Sequence, residues 1–425
     1  MWKAVVAVAT IAVGGGVGVA AGQLDQRPFN ASLDHPAIQY ASGPIRDAVT
    51  RLNGALNEGN VQLPADTGRV LLRAVLHALN VPIESQIVAF SKTSVQSPRI
   101  TPQNPRTLFF NDSVTVGWVA GGFIEVAAVD PRQGVIFYTM QSDAATKPQF
   151  VRRTSCLSCH ESYSSLDVPG MLAKSVFPAA DGTAMYQFGS YLPDHRTPFA
   201  ERWGGWYVTG KTGRLPHMGS AILADPTARP SDVDRPEMHA ASIQLDPAAY
   251  LSPYSDVAAL MVFTHQTRMT NLLIRVGWEF RVALYEQAGP FAATASLRDM
   301  VNELVDYLLF VDEAQLPAPI RGTSGFAETF SASGRHDRQG RSLRHLDLRT
   351  RLLQYPCSYM IYTDLFDALP AAAKEEIYAR MWRLLSGEDR SQRYARLSLA
   401  DRRAIVEILR DTKSGLPSYF ERQVH

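Results

Sequence analysis

"TLFFNDSVTVGWVAGGFIEVAAVDPRQGVIFYTMQ", residues 107–141, decides the fold. Short runs rich in Val, Ile, Phe and Tyr recur in it. Asn111-Asp112, Gly121-Gly122 and the turn from Asp130 to Gly134 separate them. These separators are too short for a crossover between parallel strands, so the runs must pair as antiparallel hairpins. With the preceding "SQIVAFSK" (85–92) they predict a β-meander over residues 85–142.

Outward from this zone the pattern changes. Upstream, residues 25–45 are polar and interrupted by Pro28, Pro36 and Pro44, which reads as an extended arm. Helical spacing follows at 44–58 and 67–79. In the second, Val70, Leu71, Val75, Leu76 and Leu79 form an apolar stripe that Asp66 or Thr67 is placed to cap. Downstream, residues 143–250 are irregular and rich in Pro, Gly and aromatic residues. Segments of this kind in compact proteins commonly carry function or wrap around a ligand.

From Pro253 and Ser255 a helix is expected to about Gln287, and others over 296–313, 371–386 and 399–411. Ser398 and Asp401 approximate a capping box. The predicted class is α+β: a mixed helix and β-meander region at 33–142, an irregular segment at 143–250 and a helical region at 251–425. There is no internal repeat and no low-complexity tract.

The composition is that of an ordinary globular protein, 46% hydrophobic and 20% charged over 425 residues. A formal net charge of +1 argues against a dedicated nucleic-acid or anionic-membrane binder. "MWKAVVAVATIAVGGGVGVAAGQ" places one cation, Lys3, before an uncharged run that ends in small residues. Residues 1–22 therefore read as a secretory signal peptide, with an uncleaved membrane anchor as the alternative. Either puts the folded part outside the cytoplasm, in a bacterium in the periplasm. Three cysteines are too few for the disulfide framework of a small secreted domain.

Two of those cysteines lie in "RRTSCLSCHESY" (152–163), where Cys156, Cys159 and His160 spell C-x-x-C-H. Two thiols at this spacing add across the two vinyl groups of a haem, and the adjacent imidazole becomes the proximal iron ligand. With three cysteines and ten histidines in the chain, chance produces the pattern in roughly one such sequence in two thousand. Competing readings are a redox dithiol, a plain Cys156–Cys159 disulfide, and a zinc site completed by other residues such as His195 or His217.

"TLFFNDSVTVGWVAGG", "SCLSCH", "RWGGWYVTGKTGRLPHMG" and "YPCSYMIYTDLFDALP" resemble a family of exported bacterial proteins described as cytochrome c domain-containing. The resemblance runs from about residue 33 to the C-terminus. It implies one covalent haem c held by Cys156, Cys159 and His160, and it implies no particular reaction.

The second axial position would decide the chemistry: a His or Met makes an electron carrier, whereas an open site permits peroxide chemistry. Met171, Met185, His195, His217, Met218 and His265 are candidates, with His217 or Met218 in the loop "RLPHMGS" favoured. Met261, His265, Met269 and Leu272 share one helical stripe, so His265 points inward, as a core residue or as an acid–base group beside the haem. Arg268, one turn on, is placed to meet a propionate or a bound oxidant if the protein is an enzyme.

Trp203, Trp206 and Tyr207 are either porphyrin-packing or core residues. The basic loop at 333–351, with His336 and His345, is a solvated loop or a dock for an acidic partner. Cys357 reads as a buried inert thiol. "GWYVTGKT" (205–212) matches a phosphate-loop pattern, but Trp206, Tyr207 and Val208 are strand formers, so nucleotide binding is not expected. "GGGVG" (14–18) belongs to the targeting segment, and the glycosylation-like Asn30-Ala-Ser32 carries no weight in a bacterial chain.

The functional expectation is an exported monohaem c-type cytochrome that passes electrons to a redox partner protein. The alternatives are a haem c enzyme of peroxidase type and a non-haem periplasmic binding protein.

Overall fold

β1 (Ile87–Ala89), β2 (Arg106–Phe110), β3 (Val114–Trp118), β4 (Glu125–Asp130), β5 (Gly134–Gln141) and β6 (Gln149–Arg152) pair in chain order as one antiparallel sheet. The structure, a computed structural model, describes residues 28–65, 68–141, 148–229, 236–240, 245–246 and 248–424. The expected signal segment and the proposed capping residues Asp66 and Thr67 lie outside the described residues. Among the described residues no helix is long and apolar enough to cross a membrane.

The sheet exceeds the expected meander by one strand. β6 falls in the segment read as irregular, because "QFVR" alone is too short to show an alternation. It is held on both sides. β5 pairs with it, and from α1 (Ala48–Asn57) the Asn53 side chain donates to Phe150 O (2.8 Å) and accepts from Phe150 N–H (3.0 Å). An amide side chain thus substitutes for a neighbouring strand at this edge. At the other edge, Phe90 N–H donates to Gly205 O and Tyr207 N–H to Val88 O. The phosphate-loop look-alike is therefore an extended strip laid along β1, with Trp206 bridging Ala89.

Register assigns the two faces. Val116, Val126 and Tyr138 lie on one, and the Tyr138 hydroxyl donates to Asp47, the residue that caps α1, at 2.6 Å. Thr115, Gly117, Glu125, Ala127, Phe137 and Thr139 lie on the other, together with Arg106 and Leu108 of β2. This second face supports the C-x-x-C-H segment.

α2 (Arg69–Ala78) buries Leu71, Leu72, Val75 and Leu76, but Val70 is 58% exposed and outside the stripe assigned to it. After β6 come a one-turn helix, α3 (Leu157–His160), and two small ribbons, β7 (Ser175–Val176) with β8 (Ser190–Tyr191) and β9 (Ala221–Leu223) with β10 (Met238–Ala240).

α4 (Val257–Glu286) then runs some 30 residues, about 45 Å, through the centre. Its cap is Asp256 rather than Pro253 or Ser255. The carboxylate accepts from Ala258 and Ala259 N–H within the helix and from Thr323 and Ser324 N–H far along the chain. The helix is buried on all sides over most of its length, which suits a sequence that is apolar all round. α5 (Ala295–Leu308) packs on α4 and on the later helix over residues 371–385. α6 (Phe326–Ala332), α7 (Asp364–Asp367), α8 (Ala371–Leu385) and α9 (Leu399–Thr412) complete the helical half. Ser398 caps α9 by accepting from Asp401 N–H at 3.1 Å.

Candidate functional site

The chain leaves the sheet in register with it. Arg153 N–H donates to Phe137 O (2.8 Å), and residues 154–156 then form a tight turn that feeds α3. Cys156 and Cys159 are three residues apart across that single turn, so their thiols share a face. Cys159 is exposed and Cys156 half-buried, and both are free thiols. Burial, aided by the Glu125 carboxylate, pushes the Cys156 thiol up, while Arg153 opposes the shift.

His160 ends the turn and lies against Phe137, ring centroids 4.5 Å apart. Its Nδ1 is 2.9 Å from Gly170 O. A carbonyl only accepts, so the proton is on Nδ1 and Nε2 carries the lone pair. Burial pushes the imidazole pKa down, which keeps it neutral, the state a metal ligand needs.

The backbone makes a reciprocal clamp. Gly170 N–H donates to His160 O (2.9 Å), and Ser165 Oγ–H donates to the same oxygen (3.0 Å). The central helix closes the clamp, since Asn271 Oδ1 accepts from Met171 N–H (2.8 Å) and its Nδ2 donates to Met171 O (2.9 Å). A Cβ at Gly170 would stand 2.4 Å from Asn271 Oδ1, so this close approach requires glycine. Sequence reading missed Gly170 and Asn271. Their signals were a Pro-Gly turn after the motif and a buried-face amide on an apolar helix.

Charged groups ring the motif. Apart from burial and the Gly170 bond, the charges that bear on His160 are Arg106, Glu125 and Lys174. Arg106 Nε pairs with Glu125 Oε1 at 2.6 Å. Tyr186, an exposed ring near Cys159, has the Lys174 ammonium 6.0 Å from its centroid.

The other candidates are placed elsewhere. His265 and His195 are fully buried and bonded to each other, Nδ1 to Nδ1 at 2.8 Å, while His265 Nε2 meets Ser358 Oγ at 2.8 Å. Both rings stack with Tyr307 and Phe310. This is the core reading of His265, and its described contacts do not reach Cys156, Cys159 or His160. Arg268 lies on the same helix, one turn past His265, and its charge bears on Tyr307.

His217 Nδ1 accepts from Gly219 N–H (3.1 Å), so in the neutral ring Nε2 carries the proton and neither nitrogen offers a lone pair. The Met218 sulfur is buried and accepts from Ser175 Oγ–H (3.8 Å) in a small cluster with Phe177, Leu223 and Met185. Met171 belongs to the Gly170 side of the imidazole, through its backbone.

Trp203, Trp206 and Tyr207 are core residues. Cys357 is buried, and its thiol is pushed up by that burial alone. In the basic loop, Arg338 pairs with Asp411, Arg341 with Asp337 and Glu407, Arg344 with Asp112, and Arg351 with Asp401. These cations are engaged within the chain, which weakens the docking reading of the loop.

Among the described residues no three His, Cys, Asp or Glu side chains converge as a metal cage. A zinc site at Cys156 and Cys159 finds no further ligands there. Iron in a porphyrin needs fewer protein donors, because the macrocycle supplies four nitrogens. The donor set at the motif fits that case: two free thiols on one face of a turn and a neutral imidazole with Nε2 unprotonated. Compared with known proteins, the chain matches no family model, no curated protein and no solved structure.

Proposed function

We propose that the chain is a monohaem c-type cytochrome that transfers electrons to or from a redox partner protein outside the cytoplasm. The observation that carries this reading is the tautomer of His160: Gly170 O fixes the proton on Nδ1 and leaves Nε2 as the donor beside two free thiols. Each thioether forms by addition of S–H across a vinyl C=C, so attachment needs no oxidant. The haem, when bound, supplies a one-electron iron couple.

The chain's own residues hold and orient. Cys156 and Cys159 tether the porphyrin, and Phe137 and Gly170 fix the plane of the imidazole. Asn271 ties that arrangement to the longest helix in the described structure. The peroxidase alternative gains no support from the placement of His265 and Arg268.

The test is expression of the full chain with a haem c maturation system. The mature protein is expected to be red, with one haem retained after denaturation and seen in the intact mass. Cys156→Ala combined with Cys159→Ala should lose the haem entirely. His160→Ala should keep the thioether mass and change the spectrum. Colourless wild-type protein under these conditions overturns the proposal.

A further inference from the structure

Arg106 lies on the sheet face that carries Phe137, the ring His160 packs against, and Lys174 follows by three residues the Met171 backbone that Asn271 fixes beside the motif; neither is fully committed within the chain. The Arg106 guanidinium uses Nε for Glu125, and its two Nη groups make no hydrogen bond among the described residues. The space it occupies exists because residue 117 is glycine: a Cβ there would stand 2.8 Å from Arg106 Nη2. Glu125 is itself fixed, since Oε1 also accepts from Gln96 Nε2 (3.2 Å) and Ser94 Oγ–H (3.4 Å). Gln96 is locked in turn to Phe123 through both ends of its amide. Lys174 has no carboxylate partner among the described residues. Its root is anchored by Trp206 Nε1–H on its carbonyl oxygen (2.7 Å), and its ammonium lies towards Tyr186.

Resting on the haem reading, we infer that Arg106 and Lys174 receive the two propionate carboxylates of the porphyrin, with Glu125 holding Arg106 in place. A tethered haem brings two carboxylates against a partly buried surface, and leaving them unpaired there is costly. A guanidinium whose Nη pair is unused presents the planar fork that a carboxylate accepts in bidentate fashion. Lys174 supplies a point charge on a flexible stem for the second arm. The assignment moves the propionate role from Arg268 on α4 to the sheet face under the motif.

The test uses the mature haem protein with its propionate carboxylates labelled with carbon-13, and reads the midpoint potential and the redox-difference infrared spectrum. Removing a cation beside the iron favours the ferric state. Arg106→Gln and Lys174→Gln should each shift the ferric-to-ferrous ratio about tenfold towards ferric at fixed potential, a drop of about 59 mV for one electron. Both should move the labelled carboxylate bands. Arg106→Lys should restore most of the potential, Glu125→Gln should shift it the opposite way, and Arg153→Gln should leave the labelled bands in place. Labelled bands in Arg106→Gln and Lys174→Gln that coincide with wild type, with haem still attached, overturn the inference and leave the haem reading standing. Should Arg106→Gln fail to fold, Lys174→Gln and Arg106→Lys decide alone. Wild type without haem overturns the underlying reading instead.

Discussion

Burial pushes both His160 and His265 towards the neutral form, yet their ring nitrogens are engaged differently. At His160 one ring nitrogen is committed to Gly170 O, and no hydrogen bond engages the other among the described residues. At His265 both nitrogens are committed, to His195 and Ser358, and the ring is sandwiched between aromatic faces. Burial alone therefore does not separate a proposed ligand from a core residue. The accounting of the second nitrogen does. The supports differ accordingly. His160 is held by a turn and a glycine at the edge of the sheet, whereas His265 sits mid-helix in α4 under α5.

The comparison breaks most visibly at His265. His265→Ala is expected to cost about 3–5 kcal/mol in urea unfolding, from the cavity and from leaving Ser358 and His195 unpaired. The content of the proposed haem per folded molecule should be unchanged. Its loss from folded His265→Ala would join two sites that the structure keeps apart.

A pH series sharpens the contrast. Burial lowers both core imidazoles, His265 to about 3, whereas in the unfolded chain they titrate near the ordinary value of 6.5. Below that value the unfolded state binds protons that the folded state refuses. Their contribution is thus complete above about pH 6.5 and is lost as the pH falls towards 3, with a slope of at most about 1.4 kcal/mol per pH unit for each histidine. Urea midpoints measured between about pH 7 and pH 5 should fall accordingly. His265→Gln should flatten that slope by one histidine's share. An unchanged slope would mean that the pair is not the neutral core element described.

The smallest effect is at the clamp. Gly170→Ala places a methyl group against Asn271 Oδ1 and should cost about 1–3 kcal/mol. It should also perturb the His160 Nδ1–H resonance while leaving those of His195 and His265 in place. The reverse pattern would assign the clamp to the core and not to the motif.

Much of the fold is legible in the residues. The β-rich runs in 107–141 and the turn residues between them give the antiparallel meander with the observed neighbours. Helices lie near 253–287, 371–386 and 399–411 as their spacing predicts, whereas the one expected over 296–313 ends at Leu308. What fails does so where long-range partners decide. β6 exists because β5 extends far enough to pair it and Asn53 covers its open side. α4 starts after Asp256 because that carboxylate also gathers Thr323 and Ser324 N–H, 67 and 68 residues on. The site divides the same way. Its thiols and imidazole are contiguous and readable, whereas Asn271 lies 100 residues from the backbone it fixes.

By itself the sequence determined the elements whose causes are local: β-rich runs, turn chemistry, helix spacing, and the placing of Cys156, Cys159 and His160 within one turn. Only the tertiary structure decided what each histidine can do. A ring nitrogen's role depends on the hydrogen bond made by its companion, and those partners, Gly170 for His160 and His195 for His265, are 10 and 70 residues away and meet only after the chain has packed.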